Sequence, residues 1–169
     1  MSVDGSTALL TDRYELTMLD AALRDGTAGR RCVFELFARR LPGARRFGVV
    51  AGTGRLVEAL GRFRFGDDEL RYLRDGRIVS TETLSYLERY RFRGTIHGYA
   101  EGDLYFPGSP VLTVEGTFAE AVILETLALS VMNHDSAIAN ADGYSGARVD
   151  AATRHRGRSI PQSGRRHGF

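Results

Sequence analysis

The sequence contains no lysine, and all 23 of its basic residues are arginine. Without lysine the chain cannot form a Schiff base, bind phosphate through a P-loop lysine or carry biotin or lipoate. It has a single cysteine, Cys32, so an internal disulfide framework is excluded. The histidines at positions 97, 134, 155 and 167 are scattered along the chain. Their spacing does not match that of a metal site, and we predict none.

Long apolar runs and a secretion signal are also missing. The most apolar stretch, residues 121–132, is interrupted by Glu125 and Thr126, and it is shorter than the roughly 20 residues that span a membrane. The first five residues have neither a basic nor an apolar region typical of a signal peptide. The arginine excess accompanies many alanines and glycines, as in GC-rich genomes, and therefore says little about nucleic acid. We predict a cytoplasmic protein that binds neither membranes nor nucleic acid.

The remaining composition is that of a folded domain with an unusual tail. The chain has 169 residues, of which 43% are hydrophobic and 26% are charged, enough for one domain with a core. Residues 141–169 hold six arginines, two aspartates and five glycines, without any helical or strand periodicity. We expect this basic segment not to fold by itself.

Helical patterns occur in five places. Thr11 and Asp12 offer cap oxygens, and Glu15 completes a capping-box pattern for a first helix that ends at Gly26. A second amphipathic helix follows the glycines at 52 and 54. Two shorter helices are predicted, one capped by Asp67 and ending at Gly76 and the other capped by Ser80. Residues 117–140 read as one long helix, apolar over most of its circumference and therefore packed on several sides.

Strand patterns alternate with these helices. Five segments are rich in β-branched and aromatic residues and are bounded by glycine or proline, at 32–38, 47–51, 95–99, 103–106 and 111–116. The order of helices and strands predicts a mixed α/β (α+β) fold.

Local motifs do not by themselves specify a reaction. The turn Gly52-Thr-Gly-Arg55 could bind phosphate through backbone N–H groups, but a tight turn capped by Thr53 is the simpler interpretation. Asn133-His134-Asp135-Ser136 contains catalytic residue types, yet consecutive helical residues point about 100° apart and cannot converge. We expect them to satisfy polar groups at a helix end. The arginine pairs at 30–31, 39–40 and 45–46 could bind phosphate or carboxylate, or could simply be solvated.

Three segments, in this order and spacing, resemble nicotinate phosphoribosyltransferases, especially the actinobacterial type. The first is Leu9-Leu-Thr-Asp-Arg-Tyr-Glu-Leu-Thr-Met18. The second is Phe34-Glu-Leu-Phe-Ala-Arg-Arg-Leu-Pro42, continuing into Gly48-Val-Val-Ala-Gly52. The third is Tyr105-Phe-Pro-Gly-Ser-Pro-Val-Leu-Thr-Val-Glu-Gly116, followed by Leu124-Glu-Thr126, Asn133 and Ala137-Ile-Ala139.

The resemblance implies a function and a fold. Such enzymes make nicotinate mononucleotide from nicotinate and phosphoribosyl pyrophosphate, with Mg²⁺ and ATP hydrolysis, as part of NAD biosynthesis. They are type II phosphoribosyltransferases and homodimers, with an N-terminal α/β domain and an irregular (β/α) barrel. By resemblance, residues 8–116 are the N-terminal domain and 117–140 the helix leading into the barrel. Tyr14 then matches the tyrosine that contacts the nicotinate ring across the dimer interface.

The resemblance stops near residue 140. The family continues with a segment like Arg-Met-Val-Thr-Ala-Ala, whereas this chain reads Ala141-Asp-Gly-Tyr-Ser-Gly146. One set of synonymous codons for residues 141–146 is GCG GAT GGT TAC AGC GGC, followed by G. Read one base later, the same bases encode Arg-Met-Val-Thr-Ala-Ala. We therefore hypothesise that residues 141–169 are a disordered, frameshifted tail, which the gene sequence would test. Within it, Arg165 and Arg166 are similar to a family Arg-Arg segment that binds the phosphoribosyl group, but they lie farther from Asn133 than in the family.

On this interpretation the chain is an enzyme fragment that binds no cofactor and is inactive alone, because most of the barrel is missing. An alternative is a non-catalytic interaction module, since the strands of residues 94–116 resemble half of a biotinyl-type β-sandwich.

Overall fold

The structure is a computed structural model that describes residues 5–43 and 45–142. All but the first two residues of the predicted tail, 141–169, lie outside the described residues. A short 3₁₀ turn (Ala8–Leu10) precedes the regular elements. These are α1 (Arg13–Arg24), β1 (Arg31–Phe37), β2 (Gly48–Val49), α2 (Thr53–Gly61), α3 (Asp67–Asp75), α4 (Thr81–Glu88), β3 (Thr95–Gly98), β4 (Leu104–Tyr105), β5 (Pro110–Thr117), α5 (Phe118–Val122) and α6 (Glu125–Asp142). The predicted mixture of helices and strands is confirmed.

The strands form two antiparallel sheets. The larger has the order β1-β5-β3, with Phe34 and Ile96 both opposite Val114 of the central strand. The smaller contains β2 and β4 only. The three strands of the segment 94–116 are thus divided between the two sheets, because β4 pairs with β2 and not with its neighbours in sequence. The β-sandwich alternative stays a prediction.

Most helix starts agree with the sequence patterns. Asp12 caps α1, and its N–H donates to the Glu15 carboxylate at 3.3 Å. Ser80 caps α4 by accepting the Thr83 N–H at 3.2 Å. Helix α3 begins at Asp67 with Gly66 as its cap, one residue earlier than predicted, and it ends at Gly76 as expected.

The segment predicted as one helix from Thr117 to Asn140 is two helices. Helix α5 ends at Val122 and α6 begins at Glu125. The prediction was wrong because a helix start needs acceptors for its free N–H groups, and a remote side chain supplies one here. The Thr126 N–H donates to the Glu15 carboxylate of α1 at 2.7 Å, and not to a carbonyl one turn earlier.

Helix α6 contributes to the core. Its buried residues share one core with the other helices and with β5, and they include Leu127, Val131 and Met132. Leu129 and Ile138 of the same helix are about half exposed. The core thus covers only part of α6 and leaves apolar side chains uncovered. Among the described residues, no helix is both long enough and apolar enough to span a membrane.

Candidate functional site

Tyr14 lies in the first turn of α1, with 45% of its side chain surface exposed. Its phenol lies close to the carboxylate of Glu125, the first residue of α6. The interaction with Glu125, with smaller contributions from burial and from the charges of Glu15 and Asp12, raises the pKa of Tyr14 to about 12. The phenol is therefore neutral at physiological pH, and its ring is accessible to a planar ligand.

The next residue, Glu15, is completely buried. One carboxylate oxygen accepts the Asp12 N–H and the Thr11 hydroxyl, both at the start of α1. The other accepts the N–H and the hydroxyl of Thr126 at the start of α6. A single carboxylate therefore joins two helix N-termini, where the partial positive charge of each helix stabilises it. The sequence pattern had indicated only the bond within α1.

Three large apolar side chains near Tyr14 in the chain are also exposed. Leu9, Leu10 and Met18 are 42%, 56% and 37% exposed. They flank the tyrosine in sequence, on the 3₁₀ turn and on α1. Large apolar side chains clustered on a protein surface are typical of an interaction site. We call residues Leu9, Leu10, Tyr14 and Met18 the α1 surface.

The glycine turn before α2 does not offer a phosphate site. Gly52 has a φ of 98° and is itself the helix cap, in place of the predicted Thr53. The carboxylate of Glu101 accepts the N–H groups of Gly52 and Gly54 at 3.0 Å. An internal anion thus already occupies the position that a phosphate would need. The interpretation of this segment as a tight turn is confirmed, with a different capping group.

The polar residues near the end of α6 bind the backbone of the smaller sheet. Asn140 accepts the Val49 N–H at 2.9 Å and donates to the Val49 carbonyl at 3.1 Å. Ser136 accepts the Ala51 N–H at 3.1 Å. These side chains complete the unpaired edge of β2 as a neighbouring strand would. Residues 133–136 were predicted to satisfy polar groups at the end of their own helix, and this is wrong for Ser136, which binds the backbone that follows β2.

Asp135 and His134 face the surface and form an ion pair network. Arg55 of α2 binds Asp135 with two hydrogen bonds of 2.7 and 2.8 Å. The hydrogen bond from His134 lowers the pKa of Asp135, and Arg55 lowers it further against the opposing effect of burial. A carboxylate held by arginine is a poor general base, so this cluster links α2 to α6.

A cleft of about 510 Å³ lies between the segment after β1 and α6. It is lined by apolar side chains together with Arg40, Arg45, Ser130 and Asn133. Guanidinium groups in such a cleft can bind a phosphate or a carboxylate. Sequence reasoning singled out the two arginine pairs but could not place one member of each on the same cleft, because their separation depends on the turn at Pro42-Gly43.

Of the predicted ligand-binding residues, the structure places Tyr14 on the surface. Arg165 and Arg166 lie outside the described residues. Within the ranges 5–43 and 45–142, no group of three or more His, Cys, Asp or Glu side chains is arranged to hold a metal ion.

Known proteins resemble this chain over the same region. Residues 9–133 match the family model described as the nicotinate phosphoribosyltransferase N-terminal domain. A nicotinate phosphoribosyltransferase from Mycobacterium tuberculosis is 65% identical over 133 residues, which are 79% of this chain and 29% of that protein. The Bacillus subtilis enzyme is 36% identical over 80% of this chain and 28% of its own length.

A solved structure agrees with the sequence comparisons. Human nicotinic acid phosphoribosyltransferase superposes with a TM-score of 0.65 and 32% identity, covering 72% of this chain and 25% of that one. The chain therefore spans less than a third of the length of these relatives. It belongs to the nicotinate phosphoribosyltransferase family and has the fold of that family's N-terminal domain.

Proposed function

We propose that this chain is the N-terminal part of an enzyme that joins nicotinate to phosphoribosyl pyrophosphate, giving nicotinate mononucleotide and pyrophosphate with ATP hydrolysis. The observation that carries the proposal is Tyr14, an accessible aromatic ring on an apolar surface within the segment that matches the family. A pyridine ring stacks on such a face with about 0.5–1.5 kcal/mol beyond the effect of buried area.

The α1 surface supports a homodimer. Its apolar residues would be covered by a second subunit, and Tyr14 would then reach nicotinate in the partner's active site. A tyrosine suits this role, because its neutral phenol does not repel the negatively charged nicotinate.

The reaction centre itself is expected beyond the residues described. Transfer of the phosphoribosyl group needs Mg²⁺ and cationic groups around the departing pyrophosphate. Among the residues that the structure describes there is no carboxylate cluster for Mg²⁺, and Glu101 fills the α2 turn. We propose that Mg²⁺ and ATP bind in the larger part of the relatives that this chain does not span, and we expect the chain alone to be inactive.

An activity assay tests this assignment. The purified chain should form no nicotinate mononucleotide from nicotinate, phosphoribosyl pyrophosphate, Mg²⁺ and ATP. A hybrid with residues 1–140 in place of the matching segment of the Mycobacterium tuberculosis relative should form it. Turnover by the chain alone would contradict the first expectation, and a folded but inactive hybrid would contradict the proposed function.

The role of Tyr14 is tested in the same hybrid. Tyr14→Ala should raise the KM for nicotinate about 2- to 12-fold, the ratio that corresponds to the stacking energy, whereas Tyr14→Phe should keep most of the affinity. Tyr72→Ala is the matched control, because Tyr72 is also exposed, at 61%, but lies on α3. Equal KM values for Tyr14→Ala and the unmodified hybrid would exclude the stacking role.

A further inference from the structure

Two consecutive residues at the start of α1 lie against two consecutive residues at the start of α6. Tyr14 lies beside Glu125, and Glu15 binds Thr126. The first pair is at the surface and the second is in the interior, since Tyr14 is 45% exposed and Glu15 is completely buried. Any shift of one helix start along the other would therefore change both pairs together.

The interior pair is built to resist such a shift. The Glu15 carboxylate accepts four hydrogen bonds, two from each helix start. Hydrogen bonds to a buried charged group are stronger than those between neutral groups, and leaving one partner unpaired is costly. Glu15 can keep all four bonds only while Thr11 and Thr126 hold their present positions.

The surface pair places the tyrosine ring. The hydroxyl of Tyr14 lies close to the Glu125 carboxylate, so rotation of the ring about the Cα–Cβ bond would separate the two groups. The Glu125 carboxylate also places a negative charge at the hydroxyl end of the ring. A nicotinate carboxylate would be repelled from that end and would be directed elsewhere.

We propose that Glu15, Thr126 and Glu125 are positioning residues for Tyr14: the buried Glu15–Thr126 bonds fix α6 against α1, and Glu125 then holds the phenol so that the ring presents its face to the nicotinate. This inference rests on the proposed function, because it assigns the tyrosine ring a pyridine ligand. Glu15, Thr126 and Glu125 need not contact the substrate to have this effect.

The pKa of Tyr14, measured in the chain itself, reports how the phenol is placed relative to the Glu125 carboxylate. The tyrosine ring signals can be followed by NMR with ¹³C-labelled tyrosine between about pH 9 and pH 12, which covers the ordinary and the raised tyrosine pKa, and Tyr14→Phe identifies the signal of Tyr14. Glu125→Gln should lower the pKa of Tyr14 from about 12 towards the ordinary value of about 10. Thr126→Val should lower it too, although this change removes no charge, because the hydroxyl bond that fixes α6 is lost.

Two further variants separate charge from position. Glu15→Ala removes both the charge and the hydrogen bonds, whereas Glu15→Gln removes the charge and keeps an acceptor for Thr126. The pKa of Tyr14 should lie nearer to the wild-type value in Glu15→Gln than in Glu15→Ala. Asp20→Asn is the matched control, since Asp20 also joins α1 to another helix start, that of α4. This control should leave the Tyr14 titration unchanged.

The hybrid enzyme gives an independent readout. Thr126→Val and Glu125→Gln should raise the KM for nicotinate several-fold while kcat stays close to that of the unmodified hybrid, because the ring is misplaced and the chemistry is not. An unchanged Tyr14 titration in folded Thr126→Val and Glu125→Gln would overturn the positioning inference. A second outcome would refute the nicotinate role of Tyr14 instead. In it, the pKa of Tyr14 changes in both variants, but the KM for nicotinate is unaffected in both variants and in Tyr14→Ala. The purpose assigned to Glu15, Thr126 and Glu125 would then fall as well.

Discussion

At the scale of single residues, three carboxylates bind helix starts that are distant in sequence. Glu15 binds the start of α6, Asp20 that of α4 and Glu101 that of α2. Each compensates free backbone N–H groups and meets the positive end of the helix dipole. The helices are therefore joined by acidic side chains in a protein that has no lysine.

Asp20 makes a pH dependence testable. Burial would raise the pKa of Asp20, but the hydrogen bonds from Ser80 and Thr83, together with the Arg24 guanidinium, outweigh this and lower it. A lowered pKa means that the ionised form stabilises the fold at neutral pH. This stabilisation is present above the unfolded value of about 3.9 and is lost as the pH falls through the folded pKa.

We therefore expect Asp20→Asn to reduce the free energy of unfolding at pH 7 by about 1–3 kcal/mol. The variant should also lose less stability than the wild type when the pH is lowered below about 4. Urea unfolding across the pH range measures both effects. Asp68→Asn is the control, because the Asp68 side chain is 86% exposed and its ion pair with Arg71 lies at the surface. Equal acid sensitivity of wild type and Asp20→Asn would contradict the assignment.

At the scale of secondary structure elements, the turn before α2 depends on one glycine. Gly52 has a φ of 98°, where only glycine is unstrained. A Cβ at this position would lie 3.0 Å from the Asp135 Cβ and 3.1 Å from the Val131 carbonyl oxygen. The turn thus depends both on backbone freedom and on close approach to α6.

Gly52→Ala should accordingly destabilise the protein by about 1–3 kcal/mol. Thermal unfolding followed by circular dichroism measures this. Gly29→Ala serves as the control, because a Cβ there meets no atom within 4 Å and the φ of Gly29 is not positive. If both variants unfolded at the same temperature, the close packing of α2 on α6 would have to be reconsidered.

The elements differ in how far the sequence predicted them. The start of α1 was predictable because Asp12 and Glu15 act within one turn. The division between α5 and α6 was not, because the acceptor for Thr126 comes from a residue 111 positions away. The five strands were found in the right places, yet the pairing of β4 with β2 depends on long-range contacts that periodicity does not contain.

At the scale of the whole molecule, apolar surface remains uncovered. The α1 surface lies at one helix start, and α6 exposes Leu129 and Ile138, at 45% and 51%. Soluble monomers rarely leave such groups of apolar side chains in water. This agrees with a chain that spans less than a third of its relatives' length.

We expect the purified chain to self-associate and to bind a hydrophobic dye. Leu10→Ser should shift size-exclusion elution towards the monomer, since Leu10 is 56% exposed within the α1 surface. Val57→Ser should not, although Val57 is 64% exposed, because it lies on α2. A wild-type chain that elutes as a compact monomer without dye binding would contradict this expectation.

Some residues of the candidate site could be predicted from the sequence, and others could be located only in the structure. Tyr14 was singled out because it lies in a contiguous segment that resembles the family, and its nicotinate role stays a prediction. Arg40 and Arg45 share a cleft only through the fold. The proposed roles of Arg165 and Arg166, in a segment outside the described residues, stay predictions.

The sequence by itself determined the family, the kinds of element and the local caps, since these depend on residues close together in the chain. Only the tertiary structure decided that Glu15 joins two helices, that Glu101 occupies the glycine turn and that Asn140 completes the edge of β2. In each case a buried polar group had to find a partner, and the partner's distance along the chain is not encoded in any local pattern.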